Sequence, residues 1–84
     1  MIEVTILSRR GCHLCEVVKR MARRIQADLP FELHDVDISG DPTLVTRHGT
    51  RISVVLIEQS EHFAGTVTEP QLRAAIKRRA EEDR

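Results

Sequence analysis

Eighty-four residues allow one domain, expected to span residues 1–80 and to be followed by a charged tail over 81–84 that frays. Hydrophobic residues at 40% and charged residues at 31% describe a soluble globular chain and argue against disorder. Thirteen basic residues cancel thirteen acidic ones, which argues against a protein that coats nucleic acid, and no apolar run reaches the ~20 residues of a membrane span.

The charge is unevenly spread. Residues 1–27 carry six Lys/Arg against two acids, residues 28–50 one against five, and residues 51–84 six against six. The N-terminus, Met1-Ile2-Glu3-Val4, has no basic stretch leading into an apolar one, so a cytoplasmic location is the expectation. Two cysteines cannot form a disulfide scaffold; in a reducing compartment such a pair is more often catalytic or metal-binding.

Taken in chain order, Ile2 to Leu7 is a β-branched and aliphatic run that predicts a strand, broken by Ser8-Arg9-Arg10-Gly11. From Cys12 the period becomes helical, with Leu14, Val18, Met21, Ile25 and Leu29 on one side. Lys19, Arg20, Arg23 and Arg24 fall mostly opposite, as a solvated stripe or a docking surface for an acidic partner. Pro30 ends this helix. Phe31 to Ile38 predicts a second strand whose alternation slips phase at His34-Asp35, as at a bulge or an exposed end. Asp41 as N-cap, Pro42 at the first helical position and Gly49 as a left-handed stop bracket a short helix around Leu44 and Val45.

Ile52 to Ile57 is the most apolar run and predicts a strand buried on both faces. Glu58 to Glu61 reads as a polar turn, and His62 to Ala64 as the second arm of a hairpin. Thr68 and Gln71 form a capping box opening a last helix with Leu72, Ala75, Ile76 and Ala80 inward. The order β-α-β-α-β-β-α requires a right-handed parallel crossover followed by an antiparallel hairpin. It predicts a mixed four-stranded sheet flanked by helices on both faces, an α/β thioredoxin-like fold.

Cys12-His13-Leu14-Cys15 sits where a strand ends and a helix begins. Residues i and i+3 share one helical face, close enough for a disulfide. At a helix N-terminus the free backbone N–H groups favour a thiolate. Cys12, at the very end, is expected to be the exposed nucleophile, and Cys15, one turn deeper, the resolving thiol. Arg10 and His13 supply positive charge beside Cys12; Arg9 reads as a solvated loop charge. Two alternatives stay open, half of a zinc site and a pair of inert buried cysteines. Zinc needs a second ligand pair, and His34, His48 and His62 lie in separate elements, read as surface or edge residues.

With this element order and motif, the chain resembles the glutaredoxin/thioredoxin superfamily. Leu7 to Cys15, Val36-Asp37-Ile38 and Arg51-Ile52-Ser53-Val54 look most like small bacterial glutaredoxin-like proteins. The resemblance implies a thiol–disulfide oxidoreductase acting on protein disulfides or glutathione mixed disulfides. Glutathione or a protein reductase would be its electron donor, with no tightly bound cofactor, no nucleic acid and no membrane. A thiol-ligated metal or iron–sulfur module, or a redox-inactive interaction domain, is the alternative.

Gly11 and His13-Leu14 stand where thioredoxins carry an aromatic residue and Gly-Pro, and only Gly65 echoes the two-glycine turn of glutaredoxins. The resemblance also places the superfamily's cis-proline at Ser53, facing the cysteines, with the Ile52 backbone pairing with substrate. Serine leaves open whether that bond is cis or trans. It adds a donor and a hydroxyl where the ring would shield the thiols, so weaker substrate pairing and greater metal susceptibility are expected.

Overall fold

The computed structural model describes residues 1–82. Its elements are β1 (Glu3–Ser8), α1 (His13–Asp28), β2 (Glu32–Asp37), α2 (Pro42–His48), β3 (Val54–Ile57), β4 (Ser60–Ala64) and α3 (Glu69–Glu82). The sheet order is β2-β1-β3-β4. β1 and β2 are parallel, whereas β3 runs antiparallel to both β1 and β4. This is the thioredoxin-like α/β architecture that the element order predicts. No helix among the described residues is long and apolar enough to cross a membrane.

Alternation along the strands sends side chains to two different cores. Val4 and Ile6 of β1 and Val55 and Ile57 of β3 pack with Val18, Ala22 and Ile25 of α1 and with Leu72 and Ile76 of α3. On the other face Leu7, Ile38 and Val54 meet Leu44 of the short α2. The phase slip in β2 follows from this division. Leu33 packs with the first core and Val36 with the second, while pairing to β1 runs without interruption from Glu3↔Glu32 to Ser8↔Asp37. There is no bulge; the edge strand changes which of its faces is covered.

Local capping signals hold. Asp41 accepts the N–H groups of Thr43 and Leu44, and Thr68 and Gln71 exchange the two bonds of a capping box. Gly49 differs from expectation, with φ −57°, a right-handed value. Glycine is required there for clearance, because a Cβ would come within 2.5 Å of the Val45 carbonyl oxygen. The hairpin turn is only Glu58-Gln59, both at positive φ, so β4 starts at Ser60 and not at His62. Its pairing shifts register between Val55 and Leu56. β3 begins at Val54, leaving Ile52 and Ser53 in the segment before it, and the Ile52–Ser53 peptide bond is cis. α3 continues through Glu81 and Glu82, which the sequence reading assigned to a frayed tail; the rest of that tail, 83–84, lies outside the described residues.

Candidate functional site

β1 delivers the chain to the cysteine motif through a tight turn at Arg10-Gly11. Gly11 takes φ +71°, a conformation that a side chain disfavours. Cys12 then adopts an extended conformation as the N-cap of α1, and its Sγ accepts the N–H of Cys15 at 3.2 Å. This contact satisfies one of the N–H groups that a helix start leaves free. Cys12 is half-buried and Cys15 is fully enclosed. Their Cα atoms are 5.3 Å apart and the two sulfurs are joined as a disulfide. The pair is therefore within disulfide reach, and the residue that caps the helix is the more exposed of the two.

The charges around the motif are more committed than the sequence reading expected. Arg10 is 85% exposed and pairs with Asp37 at 3.5 Å, while its N–H reaches Ser39 Oγ. The Ser39 backbone N–H and side chain, together with Arg10, hold the Asp37 carboxyl below its ordinary value. His13 is exposed. Among the described residues neither Arg10 nor His13 makes a hydrogen bond or ion pair to a cysteine. Arg9, expected to be a solvated charge, instead donates to the Gly49 carbonyl at 2.9 Å and ties the cysteine loop to the segment before β3.

Lys19 corrects the sequence reading outright. It belongs to the buried face of α1 and not to the solvated stripe. Its ammonium contacts Asp35 of β2 at 3.0 Å and Glu16 at 3.2 Å, and Ser8 Oγ donates to the same Asp35 carboxylate. Burial alone would lower the Lys19 pKa. Hydrogen bonds to the two carboxylates and their charges outweigh that and raise it above 10.5. A cleft of about 270 Å³ opens onto this network between the Arg9–Gly11 loop and Asp35 and Asp37 of β2. Residue type hid the site, but Lys19 stands four residues after Cys15, on the same helical face.

Ile52 is half-buried against the α2-side core. Ser53 is fully buried, its hydroxyl has no partner, and its carbonyl accepts the Gly65 N–H at 2.7 Å. No hydrogen bond joins Ser53 to either cysteine among the described residues. His48, expected at the surface, is buried, with Nδ1 3.9 Å from the Glu61 carboxylate that also pairs with Arg51. A cation-type donor set exists away from the cysteines, formed by Glu3, Glu32 and His34 with donor atoms within 4.8 Å of one another. It lies at the start of β1 and β2, opposite the end that carries the cysteine loop.

Comparison with known proteins agrees with this geometry. A solved structure from Xanthomonas campestris superposes with a TM-score of 0.77 at 23% identity, covering 89% of this chain and 96% of that one. Another from Nitrosomonas europaea gives 0.75 at 26% identity over 88% and 89%. Thioredoxin 1 of Thermosipho africanus gives 0.74 at 15% identity over 96% and 97%, a likeness of fold. An uncharacterized protein of Mycobacterium tuberculosis is 33% identical over 81 residues, 90% of this chain and 84% of the relative. The family model of the glutaredoxin-like domain (DUF836) matches residues 3–77, and the chain belongs to that family.

Proposed function

We propose that the protein is a thiol–disulfide oxidoreductase in which Cys12 is the nucleophile and Cys15 resolves. The observation that carries this reading is the pair itself. A half-buried cysteine caps α1 and a fully buried one lies a turn deeper, within disulfide reach. In the reduced protein, the free N–H groups at the helix start favour a Cys12 thiolate. That thiolate attacks a substrate disulfide, forming a mixed disulfide and releasing the first substrate thiolate. Cys15 then attacks the Cys12 sulfur and the second thiolate leaves. The substrates are protein disulfides or glutathione mixed disulfides, and glutathione or a protein reductase restores the dithiol without a tightly bound cofactor. Half-buried Ile52 borders the substrate groove and the enclosed Ser53 backs it, Arg10 and His13 bias its charge, and the protein acts in the cytoplasm.

The test is turnover of a glutathionylated peptide. Cys12→Ser is expected to abolish it, and Cys15→Ser to accumulate a covalent protein–substrate adduct visible by mass. Wild-type turnover by Cys12→Ser would sink the reading.

A further inference from the structure

Glu3, Glu32 and His34 take no part in the exchange steps above, and they lie at the far end of β1 from the cysteine loop. Their convergence follows from the sheet. Alternate residues of a strand share a face, which puts Glu32 and His34 side by side on β2. The parallel register sets Glu3 directly across from Glu32, and Thr5 across from His34. Further along the same face, Leu7 and Val36 pack in the core under α2. Toward the strand starts that cover ends, and the side chains of Glu3, Glu32 and His34 are 40%, 54% and 48% exposed.

His34 Nε2 stands 3.6 Å from a Glu3 carboxylate oxygen and 3.7 Å from a Glu32 one. Both gaps are too long for a hydrogen bond. They are close to the roughly 3.3–3.6 Å between two ligand atoms held tetrahedrally at about 2.0–2.2 Å from one zinc-type ion. All three donor atoms fall within 4.8 Å of one another. The Glu32 N–H donates to the Ile2 carbonyl and the Glu58 N–H to the Glu3 carbonyl, both at 2.9 Å, so backbone bonds fix the two carboxylate positions. Like charges directly across a strand pair repel. Among the described residues neither carboxylate pairs with a Lys or Arg; each meets only the His34 imidazole.

We propose that Glu3, Glu32 and His34 form a binding site for a divalent first-row transition-metal ion of the zinc type. One imidazole nitrogen with two carboxylate oxygens suits such an ion, whereas calcium and magnesium favour shells built of oxygen alone. The charge of the ion cancels that of the two carboxylates. Three protein ligands on an open face leave a further position to water, so the ion is exchangeable. Bound there, it ties the start of the edge strand β2 to the inner strand β1. The site does not depend on the thiol chemistry.

The test is calorimetric titration of metal-free protein with zinc at about pH 7.5, where an imidazole is mostly neutral. Cys12–Cys15 is closed beforehand and the loss of free thiol is checked by alkylation and mass, so that sulfur cannot take the ion. If the pair does not close, Cys12→Ser combined with Cys15→Ser removes both thiols. Wild type is expected to bind one zinc ion per chain with a Kd below about 100 μM. Glu3→Gln, Glu32→Gln and His34→Gln are each expected to weaken binding about tenfold or more, while His62→Gln, at another exposed histidine, leaves it unchanged. Zinc is also expected to raise the melting temperature of wild type and not that of His34→Gln. Melting without zinc identifies any variant that fails to fold, and the remaining ones then decide. The proposal is overturned if wild type shows no saturable binding or if the three variants bind zinc as tightly as wild type. It is equally overturned if His34→Gln alone weakens binding, the mark of a lone-histidine contact, or if His62→Gln loses as much.

Discussion

The two faces of the sheet are built differently. Among the described residues, twelve buried apolar side chains form one continuous core under α1 and α3, whereas three lie under α2, with partly exposed Leu44 and Ile52 at their edge. The cysteine pair opens α1, the helix anchored in the thick core, while the segment carrying Ile52 and Ser53 leads out from the thin one. Arg9 bridges the two, from the cysteine loop to Gly49. The arrangement gives the two cysteines a rigid support and leaves the adjoining segment on the less stable side, where local opening costs less.

The largest expected effect lies on the thick face. Ile25→Ala, at a fully buried position, is expected to cost about 2–5 kcal/mol, read as a lowered denaturation midpoint. Leu44→Ala, on the thin face, is expected to cost about 1 kcal/mol, because a half-exposed side chain loses less contact on truncation. Equal losses at the two positions would erase the contrast. Asp41→Ala, which removes the cap of α2, is expected to cost about 1 kcal/mol or slightly less, with the loss concentrated in amide exchange of α2.

The smallest effect depends on pH. The Lys19 pKa is raised in the folded state, so its ionic link stabilises the protein fully below the unfolded value and is lost as pH climbs past 10.5 through the folded value. Wild type is therefore expected to lose stability over that alkaline range more steeply than Lys19→Met. Parallel curves for the two proteins would show that the link contributes nothing.

Much of the fold was legible because its signals are local. Asp41-Pro42 and Thr68 with Gln71 each carry their own hydrogen-bond partners within three residues. Where the signal came from elsewhere in the chain, sequence reasoning missed. Glu58-Gln59 turns at positive φ without the glycine or asparagine that usually marks such a turn. Gly49 was assigned to backbone conformation, yet its constraint is the nearness of the Val45 carbonyl. In the candidate site, Cys12 and Cys15 were evident from spacing and position. Lys19 was not, since its burial depends on Asp35, a residue from a strand that only the folded sheet brings alongside α1. His48 was missed for the same reason, its neighbour Glu61 arriving from β4.

The most direct measurement is the fraction of Cys12–Cys15 disulfide across a glutathione redox series, read by alkylation and mass under metal-free conditions. The account predicts one two-electron transition between ~−270 and ~−120 mV, with both cysteines changing state together. A chain that never forms the intramolecular bond, or in which each cysteine titrates independently with glutathione, would contradict it.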